Sequence, residues 1–182
     1  MRDMTATASG RVPAFENATR VAVVAALSAT TMLFASLVSA YLVRRSFADW
    51  RPSPAWWPAV LLAFAFAASG AIEVAVRGEG ERRRLGFMGL ALASGLYLAG
   101  ALAVIASVAS GEGGLGMPFN AFVALLLSVH AVHAILGGAF ATWILRTEAG
   151  DPSQNALLLA RLVTHFLTAL LCAIVFLLFG LQ

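Results

Sequence analysis

From Met117 to Leu145 the chain runs MPFNAFVALLLSVHAVHAILGGAFATWIL, without one Asp, Glu, Lys or Arg. At about 1.5 Å of rise per residue, such a stretch outspans a hydrocarbon core of roughly 30 Å, so it is expected to cross a membrane as a helix. Near its centre His130 and His133 are spaced i,i+3, which puts them on one helix face. Gly137 and Gly138 follow one turn on, with Ala134 and Ala141 beside them. Small residues at that spacing let a neighbouring helix approach closely. The segment therefore reads as a helix buried in a bundle, with polar groups at mid-membrane depth.

The rest of the chain has the same character. Hydrophobic residues make up 60% of it and charged residues only 12%, with the charges clustered between apolar runs. That is the pattern of a polytopic membrane protein. The five spans are Val21 to Val43, about Pro54 to Val76, Leu85 to Ala109, Met117 to Leu145, and about Leu157 to Leu181. The expected fold class is all-α, a polytopic membrane helix bundle with five transmembrane helices. Residues 1–20 read as a polar N-terminal segment on the cytoplasmic side, and residues 21–182 as a single five-helix transmembrane domain. The first run is longer than a signal-peptide core, and no small-residue cleavage site follows it, so it is read as a retained span.

Details at the boundaries agree. Trp50, Trp56 and Trp57 stand at the entry to the second span as an interfacial aromatic belt would, and Trp143 marks the far edge of the fourth. Gly111 to Gly116 spells GxGxxG, but no strand precedes it and it holds no basic residue, so it reads as a tight loop. Cys172 is the single cysteine, which rules out an internal disulfide. Orientation follows from the arginines. With the N-terminus inside, nine (Arg2, Arg11, Arg20, Arg77, Arg82, Arg83, Arg84, Arg146, Arg161) fall on the inner side and three (Arg44, Arg45, Arg51) on the outer. This positive-inside bias also accounts for the net charge of +3 without a nucleic-acid partner, and it places the C-terminus outside.

Few residues can carry chemistry. Glu73 lies within the second span, where an ionisable group costs free energy and marks a functional candidate. Its spacing allows an i,i+4 pair with Arg77, or a buried polar contact with another helix. His130 and His133 could ligate a metal or a haem iron, but a metal site calls for three or four ligands and His165 is the only other histidine. The ordinary reading of the pair is hydrogen-bonded packing. No nucleophile constellation is visible. Ser28, Thr30 and Thr31 sit within the first span, where hydroxyls bond the preceding turn or a neighbouring helix. Glu73 and His165 each lie one turn from an arginine, Arg77 and Arg161, at the same inner side. A direct or water-bridged contact between them is expected, with the second and fifth helices side by side.

Together these motifs resemble subunit III of haem–copper terminal oxidases, in its short five-helix bacterial form. Ser128 to Gly137, SVHAVHAILG, is similar to that family's HxxH signature, and Thr164-His165-Phe166 to its Trp-His-Phe at the start of the last helix. Phe34 to Arg44, FASLVSAYLVR, resembles its first core helix, with Trp50 and Pro52 in the loop after it. Glu73, in SGAIEVA, falls where the family keeps an intramembrane glutamate. The resemblance covers nearly the whole chain. It implies a non-redox subunit with no cofactor of its own, haem and copper residing in partner subunits, and bound phospholipid. The implied partners are oxidase subunit I, the other subunits and membrane lipids, in a bacterial cytoplasmic membrane, with support for proton uptake as the role. The chain departs from the family at Thr30, Leu102, Ile105, Thr168 and Leu171, where polar or aromatic family residues are replaced. Other readings are the related subunit of nitric oxide reductases, a small b-type cytochrome using His130 and His133, and a proton-coupled carrier built around Glu73.

Overall fold

The computed structural model describes residues 13–47, 49–50, 56–111, 113–147 and 153–180. Arg2, Arg11, Arg51, Pro52, Pro54 and Leu181, which entered the sequence reading, lie outside the described residues. The fold is all-α. Five helices follow one another: α1 (Pro13–Arg44), α2 (Trp57–Arg77), α3 (Gly80–Ser110), α4 (Pro118–Thr147) and α5 (Gln154–Val175). Each contains a stretch long and apolar enough to cross a membrane, so the protein is a multi-pass membrane protein.

The helix limits follow local chemistry. Pro58 sits in the first turn of α2, where its missing N–H is no loss. Gly78 ends that helix, its N–H bonding Val74 O at 2.9 Å. α3 starts at Gly80 and takes in Arg82, Arg83 and Arg84, earlier than the apolar run alone indicated, because arginine is a good helix former. α3 and α4 are joined by a tight turn in which Gly113 (φ 75°) and Gly114 (φ 48°) adopt the left-handed backbone that glycine tolerates. Asn120 closes the turn by donating to Gly114 O at 3.2 Å. Ser153 caps α5, accepting from Ala156 N at 3.3 Å. The last five described residues, Phe176–Gly180, continue α5 as a wider π-type turn.

The closest helix pair is α2 against α3. A Cβ added at Gly86 would stand 2.4 Å from Ala75 N and 2.6 Å from its Cα, so the two backbones touch there with no side chain between. Further along the same seam, Gly89 faces Ala71 and Gly100 faces Leu61. Gly137 of α4 makes a looser approach, its hypothetical Cβ meeting Val163 and Leu167 of α5 at 3.0 and 3.1 Å. Ala134 packs against the larger core and Ala141 within the smaller one, while a Cβ at Gly138 would meet nothing within 4 Å. The sequence placed the small-residue seam on α4; the tighter one lies on α3.

The core has two parts. The larger gathers Phe34 and Tyr41 of α1, Leu61 of α2, Tyr97 of α3, Leu126 and Leu127 of α4, and Leu171 of α5. The smaller lies nearer the Arg77–Arg84 turn and joins Ile72, Ala75, Ala141 and Ala160. The opposite end is bound by aromatic rings. Tyr41, Trp50, Phe122, Phe119, Phe179 and Trp57 form a continuous edge-to-face chain with centroids 5.2–6.0 Å apart. Arg44 grips Asp49 through both carboxylate oxygens, one at 2.6 Å, which shapes the turn that returns Trp50 to this cluster. The hydrogen bonds from Arg44 also hold the Asp49 carboxyl below its ordinary pKa. Of the tryptophans read as boundary markers, Trp56 and Trp143 are exposed, whereas Trp57 is buried and Trp50 packs against the core.

Helix α1 is the outlier. It buries Val23, Thr30, Phe34 and Tyr41, a single narrow stripe, and leaves its other faces open.

Candidate functional site

Three polar clusters link the helices, and they succeed one another along the bundle from the arginine end inward. The first is built on Glu73, one turn before the end of α2. Its Oε1 accepts from His165 Nε2 at 2.7 Å and from Arg161 Nε at 2.5 Å, both on α5. Its Oε2 lies 3.0 Å from an Arg77 guanidinium nitrogen, without the alignment of a hydrogen bond. The competition between Arg77 and α5 is thus resolved by sharing, with α5 holding the directed bonds. Arg77 is 76% exposed, so its pull is screened, while the Glu73 side chain is only 22% exposed. Arg161 had served in the sequence only as a marker of depth. Its spacing of four from His165 puts both on the α5 face that meets α2, which is the signal that could have found it.

The second cluster lies one turn deeper. Ser69 of α2 and Thr168 of α5 bond hydroxyl to hydroxyl at 2.8 Å, both buried. Thr168 also reaches Ala65 O at 3.2 Å across the interface and its own Thr164 O at 3.1 Å. Sequence reading noted Thr168 as a departure from a family pattern and gave Ser69 no role. Nothing in single-helix spacing reports which hydroxyls will face one another. The hydroxyls of α1 instead bond their own preceding turn, Thr30 to Ala26 O at 2.8 Å and Thr31 to Leu27 O at 2.9 Å.

The third cluster is centred on His130, which is 3% exposed. Its Nε2 lies 2.9 Å from Leu167 O of α5, and its Nδ1 lies 2.5 Å from the Tyr97 hydroxyl of α3. A carbonyl can only accept, so Nε2 carries the ring proton; Nδ1 is then the acceptor, and Tyr97 donates to it. One imidazole thereby ties α3, α4 and α5 together with every polar atom satisfied. Tyr97→Phe removes the donor and strands Nδ1 in the interior. Unfolding in detergent is expected to show a loss of about 1–2 kcal/mol; an unchanged transition would mean that the phenol does not carry this tie.

His133, three residues on, does not join His130. Its Nδ1 lies 2.8 Å from Val129 O on its own helix, and its ring meets Phe34 of α1 edge-on at 6.1 Å. The shared face read from the spacing spreads over a wide arc, and the two rings go to different neighbours. His165 belongs to the Glu73 cluster. Both ring nitrogens of His130 are thus engaged by protein groups, and the two rings of the pair turn to different neighbours. Among the described residues, no three His, Cys, Asp or Glu side chains converge on one point.

Between the second and third clusters lies a small cleft of about 60 Å³, lined on α4 by Ala134, Gly137, Gly138 and Ala141. The arrangement as a whole can position charge at one end of a membrane bundle, and it can hold hydrogen-bonding groups in its interior. No family model, curated protein or solved structure matches the chain.

Proposed function

We propose that this protein is a non-redox subunit of a respiratory haem–copper oxidase, equivalent to subunit III, in a bacterial cytoplasmic membrane. It stabilises the catalytic subunit I and supports proton uptake, while haem and copper belong to its partners. One observation carries the reading. Two motifs matched separately in the sequence, the intramembrane glutamate of SGAIEVA and the histidine of THF, meet in space as the Glu73–His165 pair. A carboxylate shared by an imidazole and two guanidiniums near a membrane boundary holds a proton donor and acceptor side by side. That is the arrangement a subunit assisting proton entry would offer to a neighbour. Bound phospholipid fits the open faces of α1.

The test is recovery of the chain, affinity-tagged, from mild-detergent extracts of the cells that make it. A co-purifying complex with an oxidase haem spectrum and oxygen consumption is expected. Recovery with nitric oxide reductase activity instead, or alone with a stoichiometric Soret band, would overturn the reading. Orientation is tested separately. Reporter fusions in the Arg77–Arg84 turn and after Gln182 are expected to report opposite sides, the turn inside. Two reports from the same side would contradict the proposed topology.

A further inference from the structure

Between α3 and α4 a cleft opens on the half of the bundle nearer the Arg77–Arg84 turn. At mid-bundle the two helices are tied by the Tyr97–His130 bond. Beyond that bond, away from the arginines, Ala101, Val123, Leu126 and Leu127 are fully buried, so the seam is shut there. On the arginine side the α4 wall is only Ala134, Gly138 and Ala141, small enough to leave a gap before Leu90 and Ser94 of α3. Gly138 is exposed and a Cβ there would meet nothing within 4 Å, so the cleft is open at its side. Its floor is Ala65 and Ala68 of α2 with Val163 and Leu167 of α5. The polar groups at its margin are committed elsewhere: Tyr97 to His130, Thr164 to Ala160 O and Thr168 to Ser69. What the cleft presents to the membrane is therefore apolar.

The α3 wall of the cleft continues to the membrane boundary. Arg83, Phe87, Leu90 and Ser94 are spaced i, i+4, i+7 and i+11, along one face of the helix. Beside them Arg84, Met88 and Ala91 complete, with Arg83 and Phe87, a shallow surface recess. Arg83 is steadied by its Nε, which donates to Gly78 O at 3.1 Å. Arg84 is exposed and makes no ion pair with any described residue. The turn as a whole, residues 77–84, holds four arginines against two glutamates. From Arg84 to Ser94 the helix rises about 15 Å, half of a hydrocarbon core of roughly 30 Å. A groove that is basic at the boundary, apolar below it and shut at mid-depth matches a single leaflet. A transmembrane helix would need it to run the full thickness, and a helix about 10 Å across does not enter a space of about 60 Å³. We propose that the groove holds one anionic phospholipid of that leaflet, its phosphate on Arg83 and Arg84 and one acyl chain in the cleft over Gly138. This is a fixed lipid, unlike those that cover the open faces of α1, and the inference stands whichever complex the chain joins.

To test this, the whole chain is stripped of lipid and titrated with phosphatidylglycerol or phosphatidylcholine, and native mass spectrometry counts the lipids retained. One phosphatidylglycerol is expected to be retained about fivefold or more in preference to phosphatidylcholine. Gly138→Leu fills the cleft without a clash and should reduce that adduct about fivefold or more. Gly95→Leu, on an exposed and equally open part of α3, should leave it unchanged. Arg84→Ala should reduce the adduct about fivefold, whereas Arg82→Ala, which removes the same charge outside the recess, should not. All variants are compared as monodisperse protein with the parent thermal midpoint. Inorganic phosphate in excess should leave the lipid bound, because it lacks the chain. A photoreactive side chain installed at Gly138 and activated in intact membranes is expected to label lipid. No preference for phosphatidylglycerol, equal retention within either pair of variants, displacement by inorganic phosphate, or a crosslink to a polypeptide would each overturn the proposal.

Discussion

Gly86→Val is expected to abolish the folded bundle. The Cβ alone would stand 2.4 Å from a backbone nitrogen and 2.6 Å from a Cα of Ala75, and backbone atoms cannot rotate aside as a side-chain tip can. The two helices must separate along their tightest seam. Overpacking in a core costs about 1–3 kcal/mol where neighbours can shift, and more where they cannot. Set against a total stability of about 5–15 kcal/mol, and with the α2–α3 packing lost as well, monodisperse protein should fall to a small fraction of the parent yield. Gly89→Ala is the graded comparison, because its Cβ would meet only the Ala71 Cβ at 3.3 Å. Gly70→Ala is the opposite control: nothing lies within 4 Å, and the better helix propensity of alanine should leave stability unchanged or raise it by up to about 1 kcal/mol. Yield and thermal midpoint in detergent measure all three. A Gly86→Val protein with the parent midpoint would show that α2 and α3 are not in backbone contact.

Glu73→Ala is expected to have the second-largest effect, through a different cause. The substitution leaves Arg161 and His165, 39% and 41% exposed, facing α2 without the carboxylate they share. A loss of about 1–2 kcal/mol follows from removing the shared partner of a cluster whose cations are part-exposed and partly screened. Arg77→Ala should cost less than about 0.5 kcal/mol, since that side chain is 76% exposed and makes no aligned hydrogen bond. Equal losses for the two would reduce the cluster to a surface ion pair. Glu73→Gln separates structure from role, because it keeps the shape and an acceptor but not the charge. In an assembled complex it should slow proton-coupled turnover while assembly survives. Unchanged turnover would remove the proton-related part of the proposed function.

The number of helices was legible because a span declares itself by length and polarity, one segment at a time. So was the pairing of α2 with α5 through Glu73 and His165, since both depths could be counted from neighbouring arginines. Contacts that depend on the rotation of one helix against another were not legible. The Tyr97–His130 bond needs α3 and α4 in register, and nothing in either helix alone singles out Tyr97. The Gly86–Ala75 contact was missed for a related reason. Gly86 comes two residues after the arginine run, so it reads as the edge of a span, although the helix begins six residues earlier. His130 and His133 show the limit of spacing from the other side. Residues i and i+3 share a face only to within about 60° of arc, enough to send one ring to α3 and α5 and the other toward α1.

The way α1 is attached has a consequence for how the molecule yields. At its C-terminal end Tyr41 is locked among Trp50 and Phe122, while along the half nearer the arginine end the buried side chains are Val23 and Thr30. A helix clamped at one end and lightly seated along the rest behaves as a cantilever: bending concentrates at the clamp, and the far end travels furthest. The other four helices keep both core clusters almost entirely among themselves, so that travel leaves them in place. Near the far end, Arg20 bonds Asn155 in the first turn of α5, the helix that carries Arg161 and His165. The helix that buries the narrowest stripe is therefore also the one joined, through Asn155, to the start of the helix that holds the Glu73 partners.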